Sequence, residues 1–315
     1  MIAGRGLLAP LLVLAVLLAA QPFVSSYVLT LLTQSVIYAI AAMSLDVLLG
    51  YLGLASLGHA AYLGVGAYSV GILATRHGAG FGTILLAGIG FALVLAAVFG
   101  LLALRATGVY FLMITLALGM VAWGLAYRWV SLTQGDNGIS GVPRPDLSLP
   151  WSLGDAIPFY YFALAGFLLA LGVLWVIVHS PFGKALQAIR DNETRAEFVG
   201  VEVRKYRWIA FLVSGAFTGL AGALWVPLNG LTTPDILYWP FSGKIVFLTV
   251  LGGFRTFTGP IIGAIAFNYL ETYAIGFTVY WQLVLGVVLV LLVLTMPSGI
   301  VGTVGQLVTR LRRSR

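Results

Sequence analysis

The chain has very little charge and no cysteine. Only 9% of its 315 residues are charged and 60% are hydrophobic, whereas soluble domains carry roughly a quarter charged residues. The lack of cysteine excludes disulfides and thiolate metal sites. No stretch is long and polar enough to form a sizeable soluble domain. These absences indicate one polytopic membrane domain over residues 1–315.

The chain also lacks the residue patterns that catalysis and nucleotide binding need. It has 3 histidines and no cluster of acids and bases of the kind that a reaction uses. It has no Gly-x-x-x-x-Gly-Lys-Ser/Thr phosphate loop. A membrane-embedded enzyme is therefore the least favoured interpretation, and we expect no cofactor or metal bound to this chain.

Long apolar segments dominate what is present. A bilayer crossing needs about 20 apolar residues, and ten segments approach or exceed that length. They cover residues 7–20, 28–49, 57–75, 81–104, 109–127, 158–178, 208–228, 241–253, 258–277 and 280–300. Since a helix pairs its backbone groups within one segment, we expect an all-α membrane protein, a polytopic helical bundle of about ten transmembrane helices. Segment 241–253 is short enough to be re-entrant.

The first segment has two interpretations. Arg5, the apolar run 7–20 and the small residues before Gln21 resemble a secretory signal. Cleavage would place the new N-terminus outside with nine spans still to follow. We therefore favour an uncleaved first helix.

The distribution of positive charge predicts the orientation. If both termini and the loop 179–207 are cytoplasmic, thirteen of the 17 Lys and Arg residues lie inside and four lie outside. The four are Arg76, Arg128, Arg144 and Lys244. Membrane proteins retain positive charge on the cytoplasmic side, which also accounts for the net charge of +7 without a nucleic-acid partner.

Residues 180–207 form a polar island between apolar segments. The island holds six of the 17 basic and four of the 10 acidic residues. Pro181 can begin a helix and Gly200 can end one. Four apolar residues between them fall at near-helical spacing: Leu186, Ile189, Ala196 and Val199. Asp191 and Arg195 are spaced to pair at i,i+4. The pattern predicts a short amphipathic helix in a cytoplasmic loop.

Physical reasoning alone leaves three roles open for this helix. It suits the lipid surface, a solvated connection, or a groove on a cytoplasmic partner. The near balance of basic and acidic residues counts mildly against lipid, because lipid-binding segments usually carry an excess of Lys and Arg.

The island resembles the ATPase-contacting loop of a known transporter family. The run 183–201, followed by Tyr206, Ala210-Phe211 and Ser214 to Ala223, is similar to this loop and the next helix in branched-chain amino acid ABC transporter permeases. The M-type subunit is the most similar. Further stretches agree in the same order along the chain, from about residue 28 to 300: 50–68, 107–111 with 132–143, and 252–264.

The resemblance implies a permease subunit of an ATP-driven importer for branched-chain amino acids in a bacterial inner membrane. Its partners would be a second homologous permease, an external substrate-binding protein and two cytoplasmic ATPases that bind ATP and Mg. Transport would follow alternating access between ligand-dependent states. The residues implied in ATPase coupling are Gly183, Ala188, Asp191, Asn192, Glu193, Ala196 and Gly200.

The resemblance indicates the class of transporter more specifically than it indicates the transported substrate. The family usually has Asn at the position of Asp46 and Gln at that of Leu54. The same architecture carrying urea, short amides or other amino acids therefore remains an alternative. An ion-coupled secondary transporter is a different class, which would need no helical contact loop and would work without ATPases.

Polar residues within apolar segments are candidates for the translocation pathway, because intramembrane ionisable groups are costly and often functional. His59, Asn268 and Glu271 are such residues, and the last two share one helix face at i,i+3. A neutral His59 bonded between close-packed helices is the competing interpretation, and Glu271 could lie at the interface. The loop 128–157, rich in turn formers, is expected outside, as a docking surface for an external partner or an ordinary connection.

Overall fold

A computed structural model describes residues 17–18, 24–77, 80–144, 153–296 and 298–313. Apart from residues 17–18, the first predicted span, 7–20, lies outside the described residues.

The described chain is built almost entirely from helices. The helices are α1 Ser26–Asp46, α2 His59–His77, α3 Phe81–Ala103, α4 Gly108–Arg128, α5 Val130–Thr133, α6 Ala156–His179, α7 Pro181–Asp191, α8 Glu193–Phe198, α9 Val203–Asn229, α10 Trp239–Gly252, α11 Gly259–Phe277, α12 Trp281–Thr295 and α13 Gly299–Arg313. A π-helical turn, Val47–Leu52, extends α1, and short 3-10 turns cover Gly135–Asn137 and Pro234–Leu237. The two strands are β1 Ile139–Ser140 and β2 Leu231–Thr232.

Six stretches in the described residues are long and apolar enough to cross a membrane: Ser26–Leu52, Gly82–Ala103, Gly108–Arg128, Ala156–His179, Val203–Asn229 and Trp281–Gln306. They confirm the polytopic helical membrane fold, while the count of about ten crossings stays a prediction. Helix α10 has 14 residues and rises about 21 Å at ~1.5 Å per residue. It is therefore shorter than the ~30 Å hydrocarbon core of a bilayer.

Helices α1 and α9 form the centre of the bundle. Helix α9 packs against α1, α2 and α3, and α1 also packs against α6, α10 and α11. Small residues permit these close approaches: a methyl group at Gly222 of α9 would overlap the carbonyl oxygen of Leu63 in α2. Helix α12 lies at the periphery and exposes most of its apolar side chains.

The bundle has two distinct ends. The near end holds α7, α8, the π-helical turn and the connection from α10 to α11; the far end holds β1, β2 and the start of α10. The near end carries the polar island, so the orientation predicted from charge places it in the cytoplasm.

At the far end, part of the predicted external loop is folded against the bundle. Strand β1 pairs antiparallel with β2, with Ile139 opposite Thr232. Arg76 at the end of α2 donates to the carbonyl oxygens of Ser131 and Leu132 at 3.2 and 2.9 Å. The first part of the loop 128–157 is therefore fixed to two neighbouring segments.

Candidate functional site

The polar island folds into two short helices rather than the single predicted one. The Ser180 hydroxyl accepts from the Gly183 N–H at 3.4 Å and caps α7, with Pro181 in its first turn. At Asn192 the backbone is extended, with φ −163°. Its side chain accepts from the Arg195 N–H at 2.9 Å and caps α8. The prediction of one continuous helix was wrong because Asn192 ends the first helix and starts the second.

The apolar side of these helices is smaller than the spacing predicted. Leu186, Ile189 and Ala196 are buried as expected. Val199 is 76% exposed and the neighbouring Phe198 is 87% exposed. Placing Val199 on the buried side was wrong, because α8 ends at Phe198. The chain then turns through Gly200, whose φ of +88° favours glycine.

The acidic residues of the island have different partners. The Asp191 carboxylate accepts from Nε and Nη2 of Arg190 at 3.0 and 2.8 Å. The predicted Asp191–Arg195 pair was wrong, because the helix break at Asn192 separates the two residues. The Glu193 carboxylate accepts from Arg207 Nη2 at 2.6 Å and joins α8 to the first turns of α9. Asp191 remains mostly exposed.

The remaining residues implied in coupling differ in exposure: some lie on the surface of the island, and others pack against the bundle. Ala188 and Asn192 lie on the exposed surface. Gly183 is buried, and a methyl group there would overlap the backbone of Val178 at the end of α6. The island therefore presents one face outward and fixes the other against the bundle.

A chain of contacts links the island to the centre of the bundle. Arg190 Nη1 in α7 donates to the carbonyl oxygen of Gly50 in the π-helical turn at 2.7 Å. One turn earlier, the buried Asp46 accepts from the backbone N–H of Arg255 at 3.2 Å. Arg255 belongs to the connection between α10 and α11. Two hydrogen bonds thus connect α7 to the end of α1, and α1 to the connection between α10 and α11.

Arg190 and Gly50 were not singled out from the sequence. Nothing in the local pattern shows that these residues, 140 positions apart, meet in the folded chain. The departures from the family pattern are both enclosed: Asp46 is bound to the α10–α11 connection, and Leu54 is buried in the core.

His59 lies where α1, α2 and α9 meet and is fully buried. Its Nε2 is 2.7 Å from the Ser214 hydroxyl, which donates to the carbonyl oxygen of Ser44 at 2.7 Å. The Ser44 and Thr218 hydroxyls are also 2.7 Å apart. This network has the geometry of the competing interpretation, a histidine bonded across close-packed helices, and the pathway role stays a prediction.

Asn268 and Glu271 occupy one face of α11 but have different surroundings. The Asn268 amide donates to the Leu31 carbonyl oxygen and the Ser35 hydroxyl, both at 3.0 Å, and ties α11 to α1. Glu271 forms an ion pair with Lys244 of α10, with a separation of 2.5 Å. Both side chains are largely enclosed, at 15% and 16% exposure.

Lys244, counted among the outside charges, keeps that assignment as a prediction. It lies within α10, where Glu271 offsets its charge and the Tyr38 ring centroid lies 4.4 Å from its Nζ. The one sequence feature that could have indicated this enclosed position is that the lysine falls within the short apolar segment 241–253.

The Lys244–Glu271 pair lies in a cleft between α10, α11 and α12. The cleft has a volume of about 580 Å³ and reaches from Asp235 and Trp281 at the far end to Phe247 and Leu289. No group of three or more His, Cys, Asp or Glu residues in the described chain is arranged to hold a metal ion. The cleft is thus a largely apolar site that holds the Lys244–Glu271 ion pair, with a second carboxylate, Asp235, at its far end.

Comparison with known proteins places these features in a transport family. Residues 27–293 match the family model of the branched-chain amino acid transport system / permease component. The chain is 30% identical to the high-affinity branched-chain amino acid transport system permease protein LivM of Escherichia coli K12, over 92% of this chain and 74% of the relative. The LivH permease protein of the same strain is 26% identical, over 56% and 59%. The probable LivH permease of Methanocaldococcus jannaschii is 26% identical, over 43% and 45%.

Proposed function

Since the chain belongs to the branched-chain amino acid transport system / permease component family, we propose that it is a permease subunit of an ATP-driven importer for branched-chain amino acids. It alternates access between the two sides of a bacterial inner membrane, with both termini in the cytoplasm. It is not itself an enzyme, because its partner ATPases bind ATP and Mg and hydrolyse the nucleotide.

The exposed tip of the island carries the proposed coupling role. Phe198 is 87% and Val199 76% exposed at the end of α8. Adjacent exposed apolar side chains beside charged ones suit a protein partner better than water. The same island is anchored through Glu193–Arg207 and Arg190–Gly50. A partner that moves the tip therefore moves the bundle.

We assign the remaining partners from the family. A second homologous permease completes the pathway, and an external substrate-binding protein docks at the far end. The same architecture carrying urea, short amides or other amino acids is the second candidate. An ion-coupled transporter is disfavoured by the matched relatives, which are permease proteins of transport systems.

The proposal is tested with the complete importer in proteoliposomes, assembled with the second permease, the ATPases and the binding protein. Phe198→Asp should abolish ATPase co-purification and ATP-driven uptake of labelled L-leucine, because it charges the proposed contact. Val279→Asp is the matched control, since Val279 is 90% exposed in the far-end connection between α11 and α12. It should retain co-purification. Normal ATPase retention and uptake by Phe198→Asp would overturn the coupling role.

A further inference from the structure

We propose that the cleft between α10, α11 and α12 binds the substrate as a zwitterionic amino acid with an apolar side chain. In the bound state Lys244 faces the substrate carboxylate and Glu271 faces its ammonium group. This inference rests on the proposed function and names its substrate class and binding residues.

The ion pair is a costly device if its role is only structural. Charged side chains within membrane segments are costly and are usually functional. Well-packed apolar residues often replace a buried ion pair without loss of stability. Lys244 and Glu271 nevertheless lie in a cleft of about 580 Å³, within the usual range of ligand pockets, roughly 300–1,000 Å³.

The surroundings of Lys244 form a receptor for an ammonium group. Its Nζ lies 2.5 Å from the Glu271 carboxylate and 3.4 Å from the Tyr38 hydroxyl. The ring centroids of Tyr38, Phe241 and Phe267 lie 4.4, 5.8 and 6.0 Å from it. A carboxylate with aromatic faces around it is also the chemistry that recognises a ligand ammonium. Lys244 thus occupies the ammonium position in the empty site.

On substrate binding, Lys244 and Glu271 then exchange each other for the two charged groups of the substrate, so neither is left unpaired. The substrate ammonium takes the place of Nζ beside Glu271. The freed lysine, on its flexible four-carbon stem, turns to the substrate carboxylate. Both protein charges remain paired throughout, so the desolvation cost of an unpaired buried charge does not arise.

Tyr38 is held in position for this exchange. Its hydroxyl accepts from Gln34 Nε2 at 3.2 Å and from Trp225 Nε1 at 3.4 Å. The side chain is 2% exposed. The aromatic face and the hydroxyl are therefore fixed by α1 and α9 while the lysine moves.

The rest of the cleft selects for an apolar side chain. Phe241, Phe247, Leu285 and Leu289 line it beyond the ion pair. Urea or a short amide would bring neither a full carboxylate nor an ammonium to the two charges. The geometry therefore favours amino acids over the uncharged alternatives.

The test uses the complete reconstituted importer and ATP-driven uptake of labelled L-leucine below saturation. Lys244→Met, Glu271→Gln and the double variant should each lower uptake about tenfold or more, as expected for loss of a buried charge contact. The charge-swapped variant Lys244→Glu with Glu271→Lys re-forms an ion pair and should recover thermal stability without recovering uptake. Thr272→Val is the control one residue away, since its hydroxyl donates within α11, to the Asn268 carbonyl oxygen, rather than into the ion pair.

A second measurement uses the wild-type membrane complex without the external binding protein. Millimolar L-leucine should raise its thermal midpoint, while L-leucinamide, which lacks the carboxylate, and 4-methylpentanoate, which lacks the ammonium, should not. Wild-type uptake by the double or swapped variant, or equal shifts with all three compounds, would overturn the inference. Wild-type importer that moves no L-leucine but moves urea would instead contradict the proposed substrate.

Discussion

The two ends of the α10–α11 hairpin differ in how they are packed. At the near end, α10 and α11 meet through glycines, and a methyl group at Gly252 or Gly263 would overlap the backbone of the other helix. Toward the far end, the Lys244–Glu271 ion pair joins the same helices, and both line the cleft that they share with α12. The hairpin is therefore in backbone contact at its near end and borders a cleft toward its far end.

Under the proposed alternating access, this difference corresponds to a state in which the cleft is accessible from the far end. Backbone contact at the near end leaves no room between the helices, whereas the far end has space for a ligand. If the near end faces the cytoplasm, as the distribution of charge predicts, the cleft is open toward the outside. The contacts of Arg190 and Asp46 lie at the near end, where the proposed coupling would have to act.

The largest expected effect comes from breaking the glycine contact. Gly263→Leu should destabilise the protein by about 3 kcal/mol or more, because overpacking against backbone cannot be relieved by a rotamer change. The thermal midpoint of the purified importer measures this. Gly276→Leu is the matched control in the same helix, since its position is open, and it should leave the midpoint nearly unchanged. Equal midpoints for both variants would contradict the close approach.

Loss of the hydrogen bond from Arg190 to Gly50 should uncouple ATP hydrolysis from substrate uptake. Arg190→Met removes the charge-assisted bond to Gly50, worth about 1.5–3 kcal/mol for a charged donor. We expect ATP hydrolysis to continue while L-leucine uptake falls severalfold. Lys184→Met is the control, since Lys184 is an exposed cation of α7. Uptake and hydrolysis that fall together in Arg190→Met would indicate lost assembly and contradict the relay.

The hydrogen-bond network of His59 lies in the packed centre between the two ends, and a variant there separates a structural role from a role in transport. Ser214→Ala removes the hydroxyl that contacts both His59 and Ser44. We expect a loss of about 1–3 kcal/mol, the cost of leaving a buried polar group unpaired, with the uptake KM for L-leucine unchanged. A large increase in KM with normal stability would place His59 in the pathway instead.

The smallest effect is expected at the surface of the near end. Lys205 and Glu202 are 3.9 Å apart and 63% and 73% exposed. Lys205→Ala should change the thermal midpoint by an amount equivalent to less than about 1 kcal/mol, as is usual for exposed pairs. A loss comparable to that of Ser214→Ala would show that the near end depends on surface charge rather than on backbone packing.

The sequence predicted the parts of the fold that depend on local pattern. Apolar length located α1–α4, α6 and α9–α12 to within about five residues of their structural ends, and the charge-dense run located the island, whereas α5 fell in the predicted loop 128–157. Contacts between distant residues were missed. Arg190–Gly50 and Lys244–Glu271 depend on how the helices pack, which spacing along one helix does not encode. The break at Asn192 was missed because a capping side chain and a helix-interior one look alike in sequence.

Site-directed labelling tests most directly whether the far-end cleft opens and closes in alternation with the near end. The chain has no cysteine, so Phe241→Cys in the cleft wall is the single reporter within this subunit, with the fully buried Leu248→Cys as its control. A membrane-impermeant maleimide added outside should label Phe241→Cys in the nucleotide-free importer. Labelling should fall severalfold when the ATPases are trapped with ATP and vanadate. Equal labelling in both states, or labelling only from the cytoplasmic side, would contradict the account.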